Sequence, residues 1–410
     1  MTEPGSPFLP YGRHQIDDDD IAAVTAVLRS DSLTGGPVVA EFEQAFAKRV
    51  GARFAVACAN GTAGLHLATM ALGLGPDDAA IVPTLTFLTT ANAARYVGAE
   101  VTFADADPAT GLTRPVDLEQ AFAKAGSRKA KVIIPVHLNG QCVDMESVAE
   151  FAGRHGMRVI EDACHAIGAT YRTRSGENVR VGAGRHSDMA VFSLHPVKSI
   201  AMGEGGVVTT DDPKLNARLL RLRNHGMERD ASQFVQRGEA FDADGAPNPW
   251  YYEMPEPGYN YRASEIHCAL GLSQLRKLDR FLLRRRELAD AYDKTLRPLA
   301  PLVRPIPRVA GCASGWHLYV VHVDFSSARQ TRATLMRKLW SSGIGTQVHY
   351  LPVHRQPYYR SRYGDTRLPH ADAYYASCLS LPLFPAMSED DVRRVVLAFD
   401  DILSGSANGR

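Results

Sequence analysis

The sequence lacks several features that would each have pointed to a different class of protein. Its six cysteines, Cys58, Cys142, Cys164, Cys268, Cys312 and Cys378, have no CxxC spacing. That argues against a zinc site and a disulfide framework and leaves reduced thiols as the expectation. Neither sign of charge is in excess: 46 basic against 45 acidic side chains leave a formal net charge of +1, so no global field draws the chain to nucleic acid or to a membrane surface. No apolar run reaches the length of a membrane span, and MTEPGSPFLPYGRHQ at the start has no basic region followed by an apolar core. A cytoplasmic location is therefore expected. The densest basic run, Arg284-Arg285-Arg286, sits in the helical pattern LLRRRELADAY and reads as a solvated helix face.

What is present is an ordinary globular composition on 410 residues, 45% apolar and 22% charged, enough for a large core and a second, smaller domain. Asp17 to Asp20 precede IAAVTAVLRS. Carboxylates there meet the free N–H groups and positive dipole end of a helix, a better reading than a metal-binding cluster. FAVACAN reads as a strand and GTAGLHLATMALGLG as a helix with Thr62 at its start. KVIIPVHLNG, DMESVAEFAGRHG and MRVIEDACHA form a strand-helix-strand crossover, with Asp144 as cap and Gly156 as stop, which implies a parallel sheet covered on both faces. DMAVFSLH and GGVVTTDD supply two further strands around Lys198. Beyond a Gly- and Pro-rich loop from Met227 to Gly258, a helical run from Ser264 to about Leu296 leads into a second region. There WHLYVVHVDF and QVHYL alternate like strands, TRATLMRKLWSSG reads as a helix, and Ser388 caps a final amphipathic one.

The chemistry gathers around FSLHPVKSIAMGEGG, residues 192–206. A lysine between two strands is either a charge reaching solvent or an amine tuned for covalent work. One chemistry combines such a lysine with a carboxylate at a strand end and with Gly, Thr and Ser groups that hold a phosphate: catalysis with pyridoxal 5′-phosphate. Asp162 ends a strand, and Gly61, Thr62 and Ala63 open a helix whose N–H groups suit a phosphate, with Ser193 within reach. Phe87 is a candidate for stacking on the cofactor ring, and His165 for contact with its phenolic oxygen. Singly, Thr62 reads as a plain cap, Phe87 as core, Asp162 as the cap of the next turn and His165 as a structural histidine. Their joint occurrence favours the cofactor.

The segments NGTAGLHLA, PTLTFLTTANA, EDACHAIGA, FSLHPVKSIAMGEGGVV, RNHGM and GYNYRASEIHCALG give the chain a resemblance, over essentially its whole length, to the DegT/DnrJ/EryC1/StrS sugar aminotransferases. Within that family it looks most like the 4-aminotransferases of pseudaminic acid synthesis, through YGRHQID, LRSDSLTGGP, WYYEM, GIGTQVHYLPVHRQPYY and LSLPLFPAMS. The resemblance implies an α/β architecture, the aspartate aminotransferase-like fold type I. A large domain (13–263) would carry a mostly parallel seven-stranded sheet, and a smaller C-terminal α+β domain (264–410) would follow, with residues 1–12 packing on it. It also implies a homodimer with shared active sites. Lys198 becomes the Schiff-base lysine, Asp162 the partner of the pyridine nitrogen, Phe87 the stacking ring, and Thr62 and Ser193 phosphate ligands. Asn260 matches the asparagine that reaches the phosphate of the neighbouring subunit. His165 stands where many relatives have glutamine.

The implied reaction moves an amino group from glutamate, leaving 2-oxoglutarate, to C4 of a UDP-linked 4-keto-6-deoxy-2-acetamido sugar. Arg262, His349 and Tyr350 are the candidate substrate contacts, since arginine suits a diphosphate and the histidine and tyrosine are donors at the cleft mouth. His349 and His354 have an equally good structural reading, and a metal role for them is poor because His-x4-His here lies on a Pro-containing segment rather than a helix. A GDP- or TDP-linked keto sugar, a keto sugar acid, and a cofactor-binding but inactive sensor are the alternatives. The 229–249 loop is expected to order on substrate binding.

Overall fold

The structure is a computed structural model that describes residues 7–125 and 129–407. In chain order its strands are β1 (Phe54–Cys58), β2 (Asp78–Pro83), β3 (Glu100–Ala104), β4 (Lys129–Ile133), β5 (Arg158–Asp162), β6 (Thr170–Arg172), β7 (Asn178–Arg180), β8 (Met189–Ser193), β9 (Gly206–Thr210), β10 (Val303–Pro305), β11 (Cys312–Ala313), β12 (Tyr319–Val323) and β13 (Cys378–Leu381). The main sheet runs β1-β9-β8-β5-β4-β2-β3. Its pairs are parallel except the two made by β9, which lies antiparallel to both β1 and β8. The fold is thus α/β, with the seven-stranded, mostly parallel sheet expected.

The strands are nearly continuous apolar runs because helices cover both faces. The β4-to-β5 crossover shows why the chain folds this way. Asp144 accepts the N–H of Ser147 to start the helix Met145–His155, Val148, Phe151 and Ala152 are buried, and Gly156 closes it at φ 64. Pro135 ends β4 earlier than the Val132–Val136 run suggests, leaving Val136 as a lone bridge to Asp162. Gly206 marks a close approach: a Cβ there would lie 2.3 Å from the Asn60 carbonyl oxygen, so only glycine lets β9 begin against the start of the helix Gly61–Ala71.

A second core gathers Leu288, Tyr292, Val321, Leu335, Leu379 and Phe399 around the antiparallel sheet β10-β12-β13, with Leu9 from the N-terminal segment. Leu9 donates to the Gly343 carbonyl and accepts from Gly345 N–H, which ties that segment beside Ile344. Asp17 caps the helix Asp18–Leu28, and Lys277 pairs with both Asp17 and Asp20, so the acidic run is capping and ion pairing.

Three expectations need correction. Arg285 is not solvated: it is 1% exposed and donates to the carbonyls of Trp316, His317 and Leu383. At 100° per residue three successive side chains cannot share one face, and Arg285 falls on the stripe of Phe281, Leu288 and Tyr292. QVHYL is not a strand. Only Gln347 pairs, with Ser380, after which the chain leaves the sheet edge and carries His349 and Tyr350 into a cleft. The Met227–Gly258 segment also has structure of its own: short helical turns at Ala231–Gln233 and Arg237–Ala240, a Glu228–Glu253 bridge, and Phe234 packed between Phe241 and Tyr251.

Candidate active site

A cavity of about 660 Å³ opens at the carboxyl ends of β5 and β8, where parallel sheets hold their ligands. Gly61, Thr62, Phe87, Asp162, His165, Ser193, Lys198, His349 and Tyr350 all line it. Strand alternation turns Asp162, the last residue of β5, into the cavity while its neighbour Glu161 faces the other side of the sheet. The Asp162 carboxylate accepts the Thr90 hydroxyl at 2.6 Å and the Cys164 N–H at 3.1 Å. Thr90 is in turn bonded to Thr86 at 2.7 Å.

Lys198 lies on the turn between β8 and β9, its backbone N–H donating to the His195 carbonyl at 2.8 Å. Burial pulls the ammonium below the ordinary lysine range, against the opposing pull of Cys164 and Asp162. The same amine acts on its neighbours. His165, His317 and His349 are held below the usual histidine range, first by burial and then by the charge of Lys198, with His349 at about 3. The cavity therefore carries three neutral imidazoles at neutral pH. Asn139 N–H donates to Nδ1 of His165 at 3.3 Å, so its proton sits on Nε2, which donates to the Tyr350 hydroxyl at 3.0 Å.

The helix Gly61–Ala71 aims its N-terminus at the same space. Asn60, rather than Thr62, is the cap: its side chain accepts the Ala63 N–H at 2.9 Å. That leaves the N–H groups of Gly61 and Thr62 turned outward, with the Thr62 hydroxyl 3.1 Å from that of Thr89. Ala63 is buried and does not line the cavity. Neither Asn260 nor Arg262 lines it. Asn260 is exposed and bridges Asn224 through the backbone, and Arg262 donates to the Asn224 side chain. His354 is engaged elsewhere, with Nδ1 2.7 Å from the Thr84 hydroxyl.

Residues 14–400 match the DegT/DnrJ/EryC1/StrS aminotransferase family. The chain belongs to that family. It is 39% identical over 409 residues to the spore coat polysaccharide biosynthesis protein SpsC of Bacillus subtilis (strain 168), covering 99% of this chain and 100% of that protein. Among solved structures it is similar to Helicobacter pylori PseC, an aminotransferase involved in the biosynthesis of pseudoaminic acid, with a TM-score of 0.85, 26% identity, and coverage of 97% of this chain and 100% of that one. The putative sugar aminotransferase Spr1654 of Streptococcus pneumoniae, solved in a PLP form, gives a TM-score of 0.84 at 25% identity, covering 97% and 99%; it was also solved in a PMP form. The DegT-family fold is that of type I enzymes dependent on pyridoxal 5′-phosphate, and the family's members are sugar aminotransferases.

The residues present fit that cofactor. A carboxylate, an amine free of hydrogen bonds to the described residues, and an open helix N-terminus converge on one cavity of suitable size. Sequence reasoning missed Tyr11, Thr90 and His317 in this site. Thr90 had a visible signal, the paired threonines after Phe87 in TFLTT. Tyr11 opens YGRHQID, a segment that carries the resemblance, but its place in the cavity depends on Leu383 N–H donating to its carbonyl at 3.1 Å, across nearly the whole chain.

Proposed function

We propose that this DegT-family enzyme transfers an amino group from glutamate to C4 of a UDP-linked 4-keto-6-deoxy-2-acetamido sugar, giving the 4-amino sugar nucleotide. The observation that carries the reading is the convergence of Lys198, Asp162 and the Gly61–Thr62 helix start on one cavity. Likeness to PseC, named for pseudoaminic acid biosynthesis, and to SpsC, named for spore coat polysaccharide, supports a sugar as the acceptor.

Bound pyridoxal 5′-phosphate supplies an electron sink beside the nitrogen being transferred. The roles of the chain follow from its geometry. Gly61 and Thr62 N–H groups and the Thr62 and Ser193 hydroxyls hold the phosphate. Asp162, oriented by Thr90 and Cys164, keeps a proton on the pyridine nitrogen, since an adjacent carboxylate favours the cationic ring. Lys198 anchors the cofactor and then moves the proton that leaves the donor carbon and is returned to the acceptor carbon. One amine serves both directions because proton removal in one is delivery in the other. Its lowered pKa suits that duty. Phe87 flanks the cofactor ring, and His349 and Tyr350 contact substrate.

The functional unit in this reading is a homodimer. Phe87 is 57% exposed although it lines the cavity, and Tyr259, Asn260, Trp250 and Met254 are exposed as well. A second copy would close that open side, with Asn260 and Arg262 serving its partner's cavity.

The visible absorption spectrum tests the reaction. The band of the protein-bound cofactor should fall when glutamate is added and return when UDP-2-acetamido-2,6-dideoxy-hexos-4-ulose follows. A band that falls and does not return rules out this acceptor, and a band indifferent to glutamate rules out transamination.

A further inference from the structure

His317 is a buried polar part of the cavity wall to which the proposed reaction assigns nothing. It is 4% exposed and lines the cavity, yet its ring makes no hydrogen bond to any described residue. Its Nδ1 is sealed in the wall without a partner, which leaves the Nε2 edge for the cavity. The other cavity histidines are engaged, His165 with Asn139 and Tyr350, His349 with the Ser380 hydroxyl at 2.7 Å, and His195 with the Val197 N–H, which it accepts at 3.5 Å. An unpaired buried nitrogen costs roughly 1–3 kcal/mol, so packing around it has to hold the ring where it is.

The backbone does this. Arg285 donates to the carbonyls of Trp316 at 3.1 Å and His317 at 3.3 Å, fixing the segment from beneath. Gly140, at φ 96, lets that segment close on the one bearing His165: a Cβ there would lie 2.8 Å from Trp316 N, 2.9 Å from His165 O and 3.0 Å from His317 N. The two rings end with their centroids 4.4 Å apart.

We infer that His317 is a specificity-determining residue for the amino acceptor, a neutral hydrogen-bonding group that recognises an uncharged hydroxyl or carbonyl of the sugar. The inference rests on the sugar aminotransferase reading and adds to it the residue that discriminates. A hydroxyl both donates and accepts, so it satisfies either tautomer of the ring, whereas an ionised carboxylate only accepts. A neutral wall therefore favours the sugar over a second carboxylate of the amino donor. A site built to bond a hydroxyl also rejects ligands without one, because its own buried polar group is then stranded.

The test uses the cofactor-loaded protein as wild type, His317→Gln and His317→Phe, with the two half-reactions read separately. Release of 2-oxoglutarate from glutamate should stay within about twofold in both variants. In His317→Phe, the KM and the calorimetric Kd for UDP-2-acetamido-2,6-dideoxy-hexos-4-ulose should rise about tenfold, the worth of one hydrogen bond to a buried group. His317→Gln should recover most of that loss. His317→Ala, which adds no bulk, carries the same expectation should the phenylalanine variant not fold. An unchanged Kd in the variants, or equal damage to both half-reactions, overturns the inference while leaving the reaction intact. Wild-type protein that consumes glutamate but neither binds nor consumes this nucleotide overturns the acceptor reading, and the inference with it.

Discussion

The two walls of the cleft are built by different means. On one side Asp162 and Ser193 end β5 and β8, and Thr62 stands in the first turn of a helix, so ladder and helix bonds place them. On the other side Tyr11, His317, His349 and Tyr350 lie between regular elements, held by Leu383, Arg285, Ser380 and His165. The first wall carries the Lys198 amine and the Asp162 carboxyl group, and the second carries the neutral rings of His317 and His349. In the proposed reaction, the carboxylate and phosphate-holding groups fall on the wall set by regular elements, and ligand choice falls on side chains held between them.

The largest effect expected separates the walls at once. Lys198→Ala should lower turnover about 10⁴-fold or more and abolish any cofactor trapped on the protein by borohydride, because anchor and proton carrier are lost together. A variant that still traps cofactor on reduction contradicts the assignment. Asp162→Asn should lower kcat roughly 10²–10⁴-fold with little change in melting temperature. Its neighbour supplies the control. Glu161 is 1% exposed and accepts from His137 Nε2 at 2.9 Å and from the Ser187 hydroxyl, on the sealed side of β5. Glu161→Ala strands those donors at about 1–3 kcal/mol each, so stability should fall while kcat per folded molecule holds. Loss of activity without loss of stability in that variant would mean that the sealed side takes part in the chemistry.

The first wall is largely legible in the sequence and the second is not, for a physical reason. Strand ends and helix starts follow from local periodicity, caps and glycines, so the order of residues along the chain is enough to place Asp162, Ser193, Thr62 and Lys198 at one sheet edge. The second wall depends on contacts between distant segments. Glu265 shows the limit: it opens its own helix, yet accepts N–H groups from Gly36, Val38 and Val39, some 230 positions away. No local pattern predicts that. Arg285 is a different case, since the helical period already sets it on the Phe281–Leu288–Tyr292 stripe and the run of like charges masks that placement.

Arg285 also supports the second wall from beneath, which offers the next test. Burial lowers its pKa to about 10, and its bonds are to neutral carbonyls. Arg285→Met keeps the apolar stem and removes the donor from three carbonyls, for an expected loss of about 3 kcal/mol by chemical denaturation. The glutamate half-reaction should survive in the folded fraction better than sugar binding does, because only the second wall loses its support. Equal loss of both would erase the distinction between the walls.

The neutral histidines give a pH signature. His349 has a folded pKa of about 3 against about 6.5 for an unperturbed histidine. The unfolded chain therefore binds the proton first as the pH falls. Stability from this group is fully present above about pH 6.5 and is lost progressively between about 6.5 and 3. His349→Phe should flatten the unfolding free energy in that window by at most about 1.4 kcal/mol per pH unit. An unchanged slope would mean that His349 is charged in the folded protein.

The smallest effect expected is at the contact where the walls meet. The Tyr350 hydroxyl accepts the Nε2 proton of His165 at 3.0 Å, a direct hydrogen bond between a residue three positions after Asp162 and one on the far wall. Tyr350→Phe removes it while the ring keeps its packing against His165, 5.9 Å away. The loss should be about 1 kcal/mol, roughly fivefold in kcat/KM for the sugar. If the bond only orients His165, both half-reactions should slow equally. If Tyr350 touches the acceptor, the sugar half-reaction alone should slow, which would extend ligand choice from His317 along the whole second wall.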